Sequence, residues 1–328
     1  MEKLLGLHHV TAITSSAEKI YEFFTYVLGL RLVKKTVNQD DINTYHLFFA
    51  DDKGSAGTDM TFFDFKGIGK KTEGTNQISR TSFRVPSDEA IEYYLKRFEK
   101  YNVNNNGIAE MFGKKVLMFK DFDDQLYMLI SDENNQGVPS GTPWQKGPIP
   151  NEFAITGLGP TFMKVNDVAQ MTFALEKIMF MRKTKEQGDY HLFEMGDGGN
   201  GASVILEKDE SKYNSIQGFG SVHHLAFRVK DESVLRDWIN YMKELKIPNS
   251  GFVDRFYFKS LYVRLYQNIL FEFATDGPGF IDDEEDYEIL GETLALPPRF
   301  RDKRQQIEKL VRHIDTKRSD KNIKKEYL

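Results

Sequence analysis

The chain has 328 residues, of which 40% are hydrophobic and 28% charged, a composition typical of a soluble globular protein with two domains. The formal net charge of −5 argues against a nucleic-acid partner, and no apolar run approaches the roughly 20 residues that span a bilayer. There are no cysteines, which excludes disulfides and thiolate metal sites, and the N-terminus does not resemble a signal peptide. We therefore expect a cytoplasmic enzyme without nucleic-acid or membrane partners.

Four copies of one pattern, a short apolar strand followed by a polar cap and a helix, occur along the chain. β-Branched and apolar residues predict the four strands at 7–13, 79–85, 157–165 and 222–229. Capping residues follow each strand, and apolar side chains then recur at helical spacing, as at Ile20, Phe23, Phe24 and Val27 in the first copy.

Alternating stretches after each helix predict further strands, at 44–49, 58–65, 115–119, 125–130, 189–195, 202–207, 256–265 and 269–274. We interpret the repeating unit as βαβββ, and two units are needed to close one curved sheet. The sequence predicts an α+β protein with four βαβββ modules in two curved-sheet domains. Along the chain we expect an N-terminal half (1–135), a C-terminal half (152–281) and an acidic, then basic and helical, tail (282–328).

Two histidine doublets stand at matching places in the first and fourth strands, His8-His9 and His223-His224. Because side chains alternate between the faces of a strand, His223 is predicted on the packed face with Leu225, and His224 on the opposite face. The same alternation separates His8 from His9. The second histidine of each doublet is thus a candidate metal ligand, and the first is expected to serve a supporting role.

Glu272 is the third candidate ligand, because a lone carboxylate between Phe271 and Phe273 is costly to bury unless it is paired or bound to metal. With His9 and His224 it completes a set of two histidines and one carboxylate. That set leaves coordination positions open on one side, an arrangement suited to non-haem Fe(II). The other histidines, at 46, 191 and 313, are assigned no role.

The ligand set bears on how the modules pair. If His9 from the first module meets two ligands from the fourth, modules one and four share a sheet, and modules two and three form the other. Pairing in sequence order, one with two and three with four, is the simpler topology, and both alternatives are open at this point.

Several phrases together resemble the vicinal oxygen chelate (glyoxalase/bleomycin resistance/extradiol dioxygenase) superfamily, and within it the hydroquinone-type ring-cleaving dioxygenases. The phrases are LHHVTAI (7–13), VLGLRLVKKTVN (27–38), GTDMTFF (57–63), VHHLAFRV (222–229), DRFYFKSLY (254–262) and FEFATDGPGF (271–280). The resemblance covers nearly the whole chain and implies the vicinal oxygen chelate fold.

The resemblance implies Fe(2+) held by His9, His224 and Glu272. It also implies catalytic residues around a bound aromatic, which are Tyr262, Arg255, His223 and His8. The expected reaction opens a hydroquinone or a catechol with O2, so the partners are a small aromatic substrate and O2. Homo-oligomer formation is left open.

Two other functions are weighed on the same scaffold. A glyoxalase-type lyase or isomerase would use a redox-silent metal and usually a fourth protein ligand, for which modules two and three offer no residue in the matching strands. A sequestering binding module would not need the two histidines and the glutamate at all.

Overall fold

The computed structural model describes residues 1–282 and 284–328, so that Asp283, within the predicted acidic stretch, lies outside the described residues. The first module comprises β1 (Leu7–Ile13), α1 (Ala17–Glu22), β2 (Arg31–Val37), β3 (Tyr45–Ala50) and β4 (Asp59–Phe63). The second comprises β5 (Gln77–Val85), α2 (Asp88–Lys100), β6 (Asn105–Met111), β7 (Lys114–Lys120) and β8 (Leu126–Ser131).

A two-residue strand, β9 (Gly157–Leu158), precedes the third module. That module comprises β10 (Thr161–Val165), α3 (Val168–Phe173), β11 (Arg182–Gln187), β12 (Tyr190–Glu194) and β13 (Ser203–Lys208). The fourth comprises β14 (Ser221–Val229), α4 (Glu232–Glu244), β15 (Val253–Asp254), β16 (Phe258–Tyr266) and β17 (Ile269–Pro278). The βαβββ unit is therefore confirmed in all four places.

The four module helices begin at the predicted polar caps. The side chains of Ser16, Ser87, Asp167 and Asp231 each accept a hydrogen bond from a backbone N–H in the first turn. The helices of modules one and three continue into a π-helical turn, Phe23–Val27 and Ala174–Ile178. Short 3-10 turns occupy Asn200–Ala202, Tyr287–Ile289 and Pro298–Lys303.

The strands form two mixed sheets that each take one module from either half of the sequence. One sheet has the order β15-β16-β17-β14-β1-β4-β3-β2, and the other has the order β11-β12-β13-β10-β5-β8-β7-β6, with β9 added beside β5. Modules one and four therefore share a sheet, as the ligand set predicts. The two halves of the chain are interleaved between the sheets rather than forming one sheet each.

One face of each sheet packs against the module helices. Leu225, Phe227 and Val229 of β14 are buried there, in one apolar core with Trp238 of α4. The opposite face of the first sheet carries a separate apolar cluster that includes Phe48, Ala226 and Phe258, and it lines a cavity. The alternation along β14 from Leu225 onward is thus as predicted.

The prediction of a helical tail from residue 301 is wrong beyond its first turns. The helix α5 spans only Arg304–Leu310, and residues 311–328 follow without a helix. Instead, the tail forms hydrogen bonds with the body of the protein. Lys35 donates to the carbonyl of Ile314, and the Arg318 guanidinium donates to the carbonyl of Leu32. None of the helices in the described part of the chain has the length and apolarity to cross a bilayer.

Candidate metal centre

Three neighbouring strands at the middle of the first sheet carry the predicted ligands. β1 and β14 run antiparallel, and Thr11 lies opposite His224, while His9 lies opposite Ala226. β17 lies on the other side of β14, with Glu272 beside Ala226. The fold therefore brings together His9, from one end of the chain, and two residues from the other end.

The donor atoms of these residues form a small triangle. The Nε2 atoms of His9 and His224 are 3.2 Å apart, and Oε2 of Glu272 lies 3.1 Å from the first and 2.9 Å from the second. An octahedral ion with bonds of about 2.1 Å holds neighbouring donors about 3.0 Å apart, whereas a tetrahedral ion spreads them to about 3.4 Å. The triangle therefore fits one face of an octahedral metal ion.

The pKa shifts of Glu272 and His224 also suit a metal. Burial alone raises the pKa of Glu272, but His9 and His224 outweigh it and hold that pKa well below 4.5. Burial lowers the pKa of His224, which keeps the imidazole neutral. The Ser260 hydroxyl donates to Oε1 of Glu272 at 2.5 Å, while Oε2 has no hydrogen-bond partner in the described chain. An ionised oxygen and neutral imidazoles are the forms that bind metal.

Among the described residues, His9, His224 and Glu272 are the one group of three or more potential ligands whose donor atoms come this close. A fourth side-chain ligand is therefore absent from that part of the chain. Two of the three residues, His9 and His224, line the cavity beside the triangle.

The prediction that His8 and His223 face the helix-packed side is wrong. The register of β1 with β14 shifts at both positions, so that each first histidine is an extra residue inserted into its strand. His223 consequently lines the cavity, and the ring of His8 lies 5.1 Å from the ring of Phe258, a cavity residue. Strand alternation fails here because a bulge shifts the side-chain pattern by one residue.

His8 fixes the tautomer of His9. Burial lowers the pKa of His8 to about 3, so its neutral ring has one N–H. Nε2 of His8 donates that hydrogen to the carbonyl of Thr275, at 3.0 Å, and Nδ1 of His8 must then accept from Nδ1 of His9, at 2.9 Å. The lone pair of His9 is thereby directed from Nε2 toward the triangle. Nδ1 of His223 stands 2.8 Å from Nδ1 of His224, and either of these two nitrogens can be the donor.

A cavity of about 290 Å³ opens beside the triangle. Its apolar walls are largely aromatic and include Phe48, Phe63 and Phe258. On one side, Nε of Arg255 donates to the Tyr262 hydroxyl at 3.0 Å, and the same guanidinium forms two contacts with Asp40, at 2.9 and 3.1 Å. Burial raises the pKa of Tyr262, which keeps the phenol protonated. All seven site residues predicted from the sequence therefore lie at or beside one cavity.

Sequence reasoning missed several polar residues of this cavity, among them His46 and Asp40. His46 is a single histidine in a strand, and the pattern gives no doublet to mark it. The signal available was its place on the cavity-facing side of β3, between Leu47 and Tyr45, which face the core. The histidine at 191 instead belongs to the second sheet, where its Nδ1 lies 3.3 Å from Glu186.

The sequence and the fold are both similar to those of known proteins. A sequence model of the Glyoxalase/Bleomycin resistance protein/Dioxygenase superfamily matches residues 6–126. MhqA of Bacillus subtilis (strain 168), which is named for ring-cleaving dioxygenase activity, is 41% identical over 95% of this chain and 99% of its own length. The chlorohydroquinone/hydroquinone 1,2-dioxygenase of Sphingobium indicum is 30% identical over 91% of this chain and 93% of its own.

Solved structures share the fold of this chain. A crystal structure of a Bacillus subtilis protein named for dioxygenase activity superposes with a TM-score of 0.88 at 33% identity, covering 97% of this chain and 99% of that one. Glyoxalase I from Zea mays superposes with a TM-score of 0.59 at 14% identity, covering 84% and 92%, and this shows the shared fold alone. The chain therefore belongs to the glyoxalase/bleomycin resistance/dioxygenase superfamily, and its full-length relatives are named ring-cleaving dioxygenases.

Proposed function

We propose that this protein is a non-haem Fe(II) extradiol-type dioxygenase that opens a hydroquinone or a catechol with O2. The observation that carries the proposal is the triangle of His9, His224 and Glu272, whose open side faces a cavity with aromatic walls. Two histidines and one carboxylate with vacant positions suit ferrous iron, because O2 and a substrate oxygen need places on the same ion. The names of the full-length relatives support the same reaction class.

Bound iron would supply the site at which O2 and the aromatic exchange electrons. The chain's own residues bind and orient the substrate. Phe48, Phe63 and Phe258 pack against the aromatic ring and exclude water from it. Tyr262, protonated at neutral pH, donates a hydrogen bond to a substrate oxygen, and Arg255 compensates negative charge on the deprotonated phenol.

His8 and His223 act through their neighbours in this proposal. Each holds its ligand histidine in the tautomer that presents Nε2. Replacing either one by a residue without a ring nitrogen should weaken metal binding, and removing a supporting partner of this kind typically costs 10- to 100-fold in metal affinity.

The test is reconstitution with Fe(II) after purification without air, followed by oxygen uptake with hydroquinone, chlorohydroquinone, methylhydroquinone and catechol. The variants H9A, H224A and E272A should lose both bound iron and oxygen uptake. The control variant H191A removes a strand histidine from the other sheet and should retain both. Full oxygen uptake by any of the three ligand variants contradicts the assignment. Nickel or zinc as the activating metal, with no oxygen uptake, favours a lyase or isomerase instead.

A further inference from the structure

A row of polar side chains crosses the cavity face of the first sheet, from the metal centre to β3. His224 lies opposite Thr11 on β1, and Thr11 lies beside Thr61 on β4. The hydroxyls of Thr11 and Thr61 are 2.7 Å apart, and Oγ1 of Thr61 is 2.9 Å from Nε2 of His46 on β3. The row therefore ends in an imidazole on the far side of the cavity from the ligand His224.

His46 is held in place by its surroundings. Its ring centroid lies 4.0 Å from that of Phe48 and 4.4 Å from that of Phe63. Its Nε2 is occupied by Thr61, whereas Nδ1 has no hydrogen-bond partner among residues 1–282 and 284–328. This unpaired Nδ1 is not fully buried in the described part of the chain, and His46 lines the cavity. A rigid ring thus presents one free nitrogen to a bound molecule.

We propose that Nδ1 of His46 binds the substrate hydroxyl that is not held at the metal, and that it thereby selects para-dihydroxybenzenes over catechols. This inference rests on the proposed function. The two hydroxyls of a catechol are adjacent and both reach one ion. Those of a hydroquinone are at opposite ends of the ring, so the second needs a partner across the cavity. β3 is two strands from β1, roughly 10 Å along the sheet at ~4.8 Å per strand.

The chemistry of His46 matches a phenolic hydroxyl. Burial lowers the pKa of His46 well below 6.5, so the ring is neutral. If Thr61 donates to Thr11, Nε2–H of His46 donates to Thr61, and Nδ1 keeps its lone pair. A phenol O–H then donates to Nδ1. A ligand that lacks this hydroxyl cannot form the hydrogen bond with Nδ1. The aromatic wall around His46 offers such a ligand no hydrogen bond in compensation.

The test is a thermodynamic cycle in which the second hydroxyl of the ligand and the side chain of His46 are removed separately and together. Calorimetry without O2 on Fe(II)-loaded protein would give the dissociation constants of hydroquinone and of phenol, which lacks the second hydroxyl. The parent protein should bind hydroquinone about 10- to 100-fold more tightly than phenol, the range expected for a buried hydrogen bond. H46F should bind the two within about threefold of each other.

Two variants localise the effect to one nitrogen. The side-chain amide of H46N reaches the position of Nδ1 and should keep part of the preference, whereas that of H46Q reaches the position of Nε2 and should lose it. H191F, from the second sheet, is the control and should behave as the parent. In oxygen uptake, H46F should lose at least tenfold in kcat/KM for hydroquinone while catechol changes less than threefold.

The binding cycle separates the two proposals. An equal loss of hydroquinone and phenol affinity in H46F overturns the role of His46, as does a parent protein that does not distinguish the two ligands. A parent that binds hydroquinone selectively but consumes no O2 retains the role of His46 and refutes the proposed reaction.

Discussion

Replacing Glu272 by glutamine distinguishes a metal centre from a buried ion-pair network. In the metal-free protein the carboxylate is fully buried, and its Oε2 has no hydrogen-bond partner in the described chain. In the tautomers proposed for metal binding, the two neighbouring Nε2 atoms, 2.9 and 3.1 Å away, carry lone pairs. The amide of E272Q can donate to both nitrogens and accept from Ser260.

The substitution should therefore stabilise the metal-free protein, by about 1–3 kcal/mol, the usual cost of an unsatisfied buried polar group. Metal reverses the order. At a free metal concentration of about 1,000 times the dissociation constant, the parent protein gains about 4.1 kcal/mol, while E272Q has lost its anionic ligand and gains little. Urea unfolding with and without chelator measures all four free energies of unfolding.

The alternative makes the opposite prediction. If Glu272 were the partner of protonated imidazoles, E272Q would destabilise the metal-free protein by about 3–5 kcal/mol, because buried cations would lose their counter-charge. That result, with no metal effect on the parent protein, would refute the reasoning. D276N is the matched control, since Asp276 pairs with Arg228 at 2.7 Å in the same sheet and lies outside the triangle. Metal should raise the free energy of unfolding of D276N by the same amount as it raises that of the parent protein.

Two further predictions concern buried charges away from the cavity. Burial raises the pKa of Asp121 from 3.8 to about 7, so the folded protein binds one more proton than the unfolded chain in this interval, and the free energy of unfolding should fall as pH rises from 4 to 7. Relative to D121N, the fall should be up to about 4 kcal/mol, at ~1.4 kcal/mol per pKa unit, as measured by urea unfolding. The same pH dependence in both proteins would contradict the raised pKa of Asp121. Glu326 of the tail pairs with Arg97, whose side chain is fully buried, so E326A should destabilise the protein by about 3 kcal/mol in the same assay. The control E210A removes an exposed partner of Lys208 and should change stability by less than about 0.5 kcal/mol, and equal effects of the two would show that the tail contact contributes nothing.

The sequence left two module pairings open, and the ligand set rather than chain order indicated the one that the structure shows. Sequential pairing is the simpler topology, but it keeps His9 away from His224 and Glu272. A buried glutamate between two phenylalanines requires partners, and the pairing of modules one and four adds His9 to the partners that its own module supplies. The repeat pattern alone could not decide which modules pair, because all four modules show the same alternation of apolar and polar residues.

The positions that sequence reasoning misplaced depend on neighbouring strands. Nothing within β1 or β14 marks His8 and His223 as inserted residues, since a bulge is defined by the register with the partner strand. His46 was missed because a single histidine in a strand is usually structural, and its position at the cavity follows from the curvature and order of four strands. The tail lost its predicted helix because its polar groups bind the body of the protein.

The position of the metal centre couples the site to the folding of the whole chain. His9 and His224 are 215 residues apart in sequence, and the sheet that joins them closes only when the last module reaches the first. The modules between them form the other sheet, in which Arg80 packs over the ring of Phe162 at the corresponding central strand pair. Among the residues that the structure describes, that sheet holds no group of three potential metal ligands, so it provides scaffold rather than a metal site. Because an ion bound at the triangle bridges both ends of the fold, metal affinity reports directly on the docking of the fourth module against the first.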